Sequence, residues 1–431
     1  MMDWTDVHFR QLCRLMTKRT TLWTEMVVDS TIVYTDGKPL ACVASGNGEG
    51  FDGMTELDRH LWFPPEQRPL VLQVGGSEPE QLRKAAAIAA RYEYDEININ
   101  CGCPSDRVAG KGRFGVCLMF SPEDVADCVK ALEEGQTRPV TVKCRIGVDD
   151  NDTYDEMKHF VATVSSRTNC RHFIVHARKA WLQGLNPHLN RTIPPLKHEW
   201  VFALMRDFPH IEFSLNGGVG GCHEARDALA YRAPGVDRGL NGVMIGRAAY
   251  NYPWHCLADA DRAVYGEADN PAPNRRWLLR EYAKYGDEMI GRFGTDRKGD
   301  KKPDARMILK HTLNVFHAER GAREWRRRLE DLFHKPGLSC TDIVEEAMAC
   351  MSDEVLDSPP PQNYVELERK GYVPVAGAKP GTDVDVQLPE DGSERAAPPR
   401  IGKRLATEEE AARLRRAPTP APAQQTVGSS S

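Results

Sequence analysis

Side chains that could do chemistry cluster at residues 98–105, whose sequence is NINCGCPS. An apolar run at residues 96–100 turns there into a Gly/Pro loop that carries amide, thiol and hydroxyl groups. A strand that stops in small and polar residues presents its last side chains at the carboxyl edge of a sheet, where open α/β sheets and barrels place their ligands. We therefore expect Cys103 to face a ligand rather than the core.

The spacing of the two cysteines in this loop argues against a metal site or a redox pair. A single residue separates Cys101 from Cys103, whereas zinc sites and thioredoxin-like motifs use two. We predict that Cys101 packs in the core and that the protein binds no metal. For Cys103 a packing role stays open beside the chemical one, because free cysteine is among the most buried residue types.

Glycine-containing loops follow the last two apolar runs of residues 1–265. Asn216, Gly217 and Gly218 end one run, and Gly246 and Arg247 end the next. Glycines let backbone N–H groups approach an anion, and an arginine adds charge. Glycine pairs also serve ordinary turns, but the loops after the last two strands are the common phosphate site of barrels. The two loops together favour phosphate binding.

Lys143 and His176 lie at the ends of two further runs. A lysine within a strand is costly to bury unless it is paired. We expect Lys143 to face a ligand or a carboxylate.

The elements that must position these residues are short strands alternating with helices. Apolar, β-branched runs alternate with amphipathic stretches such as residues 78–91 and 122–134, which is typical of βα units and a parallel sheet. The pattern fits an α/β fold, a (β/α)8 TIM barrel, better than an open sheet. We expect its first strand to be truncated, because the chain begins directly in a loop and a helix start. The predicted strands are residues 22–27, 70–74, 96–100, 140–146, 172–176, 211–216 and 242–245.

Composition excludes several classes of protein. The 12 cysteines have no regular spacing, so we interpret them as reduced thiols of an intracellular protein. The sequence has neither a long apolar stretch nor a signal peptide, which predicts a cytoplasmic protein with no membrane partner. An organelle is the alternative if a targeting peptide has been lost with the first strand. A net charge of −5 argues against a uniformly basic nucleic-acid binder.

The chain changes character after residue 265. Residues 270–350 follow a Pro-containing linker, show helical periodicity and hold 17 Lys and Arg against 13 Asp and Glu. The run Arg326–Arg328 is either a solvated helix face or a set of phosphate contacts. Residues 352–431 are rich in Pro and Ala and poor in large apolar residues. We expect this tail to be disordered apart from a helix near residues 407–416.

The sequence resembles the A type of the tRNA-dihydrouridine synthases over residues 1–350. The run at residues 176–185, HARKAWLQGL, separates the A type from its relatives. The other matching blocks are residues 2–6, 24–27, 73–76, 96–107, 114–119, 141–147, 190–191, 193–196, 216–218 and 242–247.

The resemblance implies an FMN-binding TIM barrel at residues 1–265 and a helical tRNA-binding domain at residues 270–350. It implies a monomeric oxidoreductase that uses NADPH to reduce the C5–C6 double bond of uridine in the tRNA D-loop, at position 20 or 20a. Reduced flavin would deliver hydride to C6, and a protein acid would protonate C5.

Site residues follow from the same resemblance. Cys103 would be the proton donor, since a free thiol is mostly protonated at neutral pH. FMN would be bound by Met2, Asp3, Gln73, Lys143, His176, Asn216, Gly217, Gly218, Gly246 and Arg247. The uracil and the rest of the tRNA would be held by Asn100, Arg178, Lys179, His188, Arg191, Arg306 and Lys310.

The chain departs from the family pattern at His188 and Lys310, where lysine and arginine are usual, and we expect these changes to alter the grip on tRNA. Two other functions stay open. A flavin oxidoreductase for a small enone or pyrimidine would share the barrel but need no basic helices. An RNA-binding protein without catalysis would not need Cys103.

Overall fold

A computed structural model describes residues 1–40, 54–105, 108, 114–182, 184–295 and 300–362. Seven parallel strands form one sheet in which neighbours in space are also neighbours in the chain. The strands are β1 (Leu22–Val28), β2 (Leu70–Gly75), β3 (Glu96–Cys101), β4 (Val140–Arg145), β5 (His172–His176), β6 (Glu212–Asn216) and β7 (Gly242–Met244).

This strand order distinguishes a barrel from an open sheet. A doubly wound sheet reverses its order at a switch point, whereas a barrel adds each strand beside the previous one. The sheet therefore fits the predicted (β/α)8 barrel. All seven predicted strands are confirmed to within one residue at each end. In the described part of the chain no strand precedes β1, since residues 1–6 form turns and a helix follows.

Strand β3 shows why the barrel interior is polar near the site. Successive side chains of a strand point to opposite faces. Ile97, Ile99 and Cys101 are at most 2% exposed and belong to the hydrophobic core, which confirms that Cys101 is a packing residue. Asn98 and Asn100 share the other face and bond to side chains of the neighbouring strands. The inner surface of the sheet thus carries amides.

Helices cover the outside of the sheet, with α4 packed against α5 and α5 against α6. The helices of this part are α1 (Val7–Met16), α2 (Asp29–Thr35), α3 (Asp58–Leu61), α4 (Pro79–Ala89), α5 (Pro122–Gly135), α6 (Tyr154–Arg167), α7 (His198–Asp207), α8 (Cys222–Ala230), α9 (Arg247–Asn251), α10 (Pro253–Leu257) and α11 (Ala260–Tyr265). Short 3-10 helices lie at Pro65–Gln67, Ala90–Tyr92, Gly115–Phe120 and Leu189–Arg191.

The residues after 270 form the predicted helices. They are α12 (Arg275–Met289), α13 (Ala305–Leu309), α14 (Ala322–Phe333), α15 (Cys340–Met348) and α16 (Asp353–Asp357), with a 3-10 helix at Lys310–Asn314. Helix α12 packs between α1 and α15. The buried hydroxyl of Tyr282 donates to the carbonyls of His8 and Ile308, so these helices share a core with the start of the chain.

The predicted disorder of residues 352–431 is wrong for residues 352–362. Helix α16 lies there, and its Leu356 is 2% exposed. Arg276 holds the helix through Asp357 at 2.7 Å. An apolar side chain with a place in the core offsets the ordering entropy of this short segment. The rest of the tail, with the predicted helix at residues 407–416, lies outside the described residues. None of the described helices is long and apolar enough to cross a bilayer.

Candidate active site

Cys103 lies directly after β3, half-buried, in a loop that its own strand holds in place. The side-chain oxygen of Asn100 accepts hydrogen bonds from the backbone N–H groups of Gly102 and Cys103, at 3.0 and 2.9 Å. The carbonyl of Cys103 accepts from Val116 N at 3.1 Å. A Cβ atom on Gly115 would lie 2.7 Å from that carbonyl, so the close approach requires glycine. The loop presents the thiol at the carboxyl edge of the sheet.

Cationic side chains crowd the strand ends beside this thiol. Lys143 pairs in register with Asn100, and Arg145 with His176. Burial, followed by the charge of Arg145, lowers the pKa of Lys143 to about 8. Burial likewise lowers the pKa of Arg145 to about 9, against the opposing influence of Cys103. Burial and the same cations hold the pKa of His176 well below its ordinary value, so its imidazole is neutral.

Three further arginines complete this cationic cluster. Burial and the charge of Arg247 lower the pKa of Arg178 to about 10. Burial also lowers the pKa values of Arg191 and Arg247. They donate hydrogen bonds to backbone carbonyls: Arg178 to Pro194, Arg191 to Pro187 and Arg247 to Arg191. Within the described ranges none of the three forms an ion pair with a carboxylate.

The charges of this cluster suit an anionic ligand. Like charges held close together at low dielectric repel, and burial penalises each of them. The Nε atom of Arg178 is buried and has no hydrogen-bond partner among the described residues. An anionic ligand would satisfy this donor and offset the repulsion.

The glycine loop after β6 lies against the same cluster. Gly217 and Gly218 have φ values of 105° and 84°, which favour glycine. A Cβ atom on Gly217 would lie 2.6 Å from the ring of His176. The ring of His198 meets the carbonyl of Gly217 at 2.8 Å, and Asn216 donates to the carbonyl of Met244 on β7 at 2.8 Å. The two predicted phosphate loops therefore meet at one end of the sheet.

Most residues predicted for the flavin lie at this end. Gln73 bonds to Asn100 at 2.9 Å, and the register of β5 with β6 places His176 beside Asn216. Asp3 has a φ of 63° and donates its backbone N–H to Glu25. Met2 is 58% exposed, so its flavin contact stays a prediction.

Several residues predicted for tRNA have partners within the chain. Lys179 pairs with Asp152 at 2.6 Å and stands over the ring of Trp181. Arg306 contacts Glu330 at 3.2 Å, and Lys310 contacts Asp6 at 3.4 Å. His188 lies on the surface just before the 3-10 helix at Leu189–Arg191. Their tRNA contacts stay predictions.

The run Arg326–Arg328 has the features of a solvated helix face. Arg327 pairs with Glu324 and Asp331, and Arg328 pairs with Glu346. Phosphate contact by this run stays a prediction.

Sequence reasoning missed Arg145 and Asn190. Arg145 is 2% exposed and donates to the carbonyls of Gly102, Lys179 and Asn190. It joins the Cys103 loop to the loop after β5. Asn190 is fully buried and binds both backbone groups of Trp181. The two-residue spacing of Lys143 and Arg145 on β4 was the available signal, since it places both side chains on one face.

Comparison with known proteins agrees with this geometry. The model of the dihydrouridine synthase (Dus) family matches residues 1–352. The chain is 40% identical over 355 residues to a tRNA-dihydrouridine(20/20a) synthase of Vibrio vulnificus (strain CMCP6), covering 82% of this chain and 96% of that protein. It is also 40% identical over 354 residues to the protein of that name from Escherichia coli (strain K12), covering 82% of this chain and 90% of the relative.

Proposed function

The chain belongs to the dihydrouridine synthase family, and from this premise we propose that it is a tRNA-dihydrouridine synthase acting on uridines 20 and 20a of the D-loop. The observation that carries the proposal is the placement of the Cys103 thiol beside a buried cationic cluster whose arginines form no ion pair with the described carboxylates. The names of the relatives support tRNA as the substrate.

The residues present fit FMN. A flavin phosphate is a dianion, which suits the Nε atom of Arg178, without a partner in the described part of the chain, and the cation Arg247. The cradle at Gly217, which a Cβ atom would fill, lets backbone N–H groups approach that phosphate. Lys143, neutral His176 and Gln73 would contact the ring system. When bound, FMN supplies hydride to C6 of uracil, with NADPH as the source of electrons.

Cys103 then supplies the proton. As negative charge develops at uracil O4 and C5, the thiol gives its hydrogen to C5, and the sulfur is left as a thiolate that solvent reprotonates. The cations Lys143, Arg145 and Arg191 act on this sulfur. They would stabilise the negative charge that develops on the pyrimidine.

The two parts of the chain would divide the work. Residues 1–265 would bind the flavin and the extruded uridine, at an unstacking cost of about a few kcal/mol. Residues 270–350, whose Lys and Arg outnumber Asp and Glu, would contact phosphates along the tRNA. Their grip would offset the unstacking.

The purified protein tests this proposal. We expect it to be yellow with bound FMN, and with NADPH to convert unmodified tRNA to dihydrouridine at positions 20 and 20a, mapped by mass spectrometry. Free uridine serves as the control substrate and should react far more slowly, because it lacks the phosphate contacts. A colourless protein would remove the flavin mechanism. Equal turnover of free uridine and tRNA would favour a small-pyrimidine reductase.

A further inference from the structure

A continuous line of hydrogen bonds runs down the inner face of the sheet from the Cys103 loop to Glu96. Its links are Cys103 N to Asn100 Oδ1 at 2.9 Å, Asn100 Nδ2 to Gln73 Oε1 at 2.9 Å, Gln73 Nε2 to Asn98 Oδ1 at 3.0 Å, Asn98 Nδ2 to Thr141 Oγ1 at 2.9 Å, and Thr141 Oγ1 to Glu96 Oε1. We call this set the amide relay. It joins strands β2, β3 and β4.

The amide relay can have only one direction. The backbone N–H groups of Gly102 and Cys103 only donate, so they require the oxygen of Asn100. Asn100 must then direct its NH2 group to the oxygen of Gln73. Gln73 in turn directs its NH2 group to the oxygen of Asn98, and Asn98 donates to the hydroxyl of Thr141. That hydroxyl accepts from Asn98 and must donate onward. The relay therefore has to end on an acceptor, which is Glu96.

Burial makes each link necessary. Asn98 and Thr141 are at most 3% exposed, and Gln73 and Asn100 are at most 9% exposed. Water cannot easily replace a lost partner at such positions, so one broken link frees its neighbours to rotate.

The direction also determines what the relay presents to a ligand. Gln73 and Asn100 each use one amide N–H within the relay. Each keeps a second N–H without a partner among the described residues. The remaining donors suit carbonyl oxygens, which both a flavin ring and a uracil carry.

We propose that Glu96 is a positioning residue: as the terminal acceptor for Thr141, it holds the amides of Gln73 and Asn100 in the orientation that the backbone N–H groups require, and thereby holds the Cys103 loop in place. This inference rests on the proposed function for what Gln73 and Cys103 do, but the order of the loop is measurable without it. Burial raises the pKa of Glu96 to about 7. A protonated carboxyl keeps a carbonyl oxygen that accepts, so the relay does not depend on its charge.

Two pairs of variants test the relay. Thr141→Val and Glu96→Met remove a link, whereas Thr141→Ser and Glu96→Gln keep a hydroxyl and an acceptor oxygen. Ser214→Ala removes another buried hydroxyl of the barrel, which bonds to His172 outside the relay. It is the matched control for a lost hydroxyl.

Hydrogen exchange of the Gly102 and Cys103 amides is the first readout, because it needs neither flavin nor tRNA. We expect Thr141→Val and Glu96→Met to speed this exchange by about tenfold or more. The two conservative variants and Ser214→Ala should remain within about twofold of wild type. Unchanged exchange in Thr141→Val and Glu96→Met would overturn the inference. If Thr141→Val does not fold, Glu96→Met decides alone, because Glu96 is only partly buried.

Steady-state kinetics on tRNA is the second readout. Misplacing the thiol should lower kcat by about tenfold to a hundredfold with little change in the KM for tRNA. An equal loss of kcat in Ser214→Ala would overturn the positioning role. A wild-type protein that forms no dihydrouridine would contradict the proposed function, and the exchange rates would still decide the relay.

Discussion

Lys143 shows, at the scale of one residue, how positive charges repel one another in the site. It is a cation at the end of β4 whose pKa burial lowers to about 8, and other cations surround it. From the sequence, its type and position predict contact with a ligand or a carboxylate. The lowered pKa could not be predicted, because it depends on Arg145 and on burial that only the folded sheet creates.

We predict that Lys143→Met stabilises the flavin-free protein. Below about pH 8 Lys143 is charged in both states, buried in the folded protein and hydrated in the unfolded chain. Burying this charge lowers the free energy of unfolding by about 1–3 kcal/mol at pH 7. The wild-type stability should therefore rise between about pH 8 and 10.5, where only the unfolded chain binds the proton. Urea unfolding at pH 7 and pH 10 measures both effects.

Lys284→Met is the matched control for this prediction. Lys284 is a surface lysine paired with Glu281 on α12, so its loss should change the unfolding free energy by less than about 0.5 kcal/mol. A Lys143→Met protein less stable than wild type at pH 7 would contradict the interpretation of Lys143 as a repelled cation.

At the scale of elements, Arg145 shows how two loops of the barrel are held together. Its three carbonyl contacts join the loop after β3 to the loop after β5. The strands themselves could be predicted, because apolar β-branched runs between helical stretches have few other solutions. The loop positions could not, since Arg145 and Asn190 act through contacts with backbone distant in sequence. The order of residues 352–362 was missed for the same reason, because Leu356 is buried only by the helices it meets.

We predict that Arg145→Met lowers both stability and activity. Three carbonyls, one of them in a fully buried contact, lose a charged donor, which should cost about 3 kcal/mol of unfolding free energy. The Cys103 loop also loses an anchor, so dihydrouridine formation should fall by about a hundredfold. Denaturant unfolding and the tRNA assay measure the two effects.

Arg171→Met is the control for Arg145→Met. Arg171 also donates to three carbonyls, those of Ser165, Thr168 and Cys170, but before β5 and away from the thiol. Because Arg171 is exposed, its loss should cost less stability than that of Arg145, and kcat should stay at the wild-type level. Loss of kcat in both variants in proportion to stability would mean that Arg145 has no specific role at the site.

At the scale of the whole molecule, buried neutral histidines make the stability of the fold depend on pH. Burial is the main cause that lowers the pKa values of His8, His172 and His198 to about 4. His8 lies where α1 meets α12, and the other two lie in the barrel. Because the unfolded chain binds protons on these rings at a higher pH than the folded chain, acid favours unfolding of both parts together.

We predict that these three rings lower the unfolding free energy by about 3–6 kcal/mol between pH 7 and pH 5, while Glu96 and Glu224, whose pKa values burial raises to about 7, bind protons in the folded state over the same range and offset part of this loss. Urea titrations at the two pH values measure this loss. His172→Gln, which keeps a polar contact to Ser214, should make the change from pH 7 to pH 5 less destabilising than in the wild type by about 1–2 kcal/mol. A His172→Gln protein whose stability changes with pH as much as that of the wild type would contradict the penalty assigned to this ring.

The most direct test of the central claim is single-turnover reduction of tRNA by Cys103→Ala. Unmodified tRNA is mixed with the NADPH-reduced protein, and dihydrouridine at positions 20 and 20a is followed by mass spectrometry. The variant should stay yellow and lose about a hundredfold or more in rate, while Cys350→Ala, which alters a half-buried thiol of the helical part, keeps the wild-type rate. A Cys103→Ala protein that reduces tRNA at the wild-type rate would contradict the account.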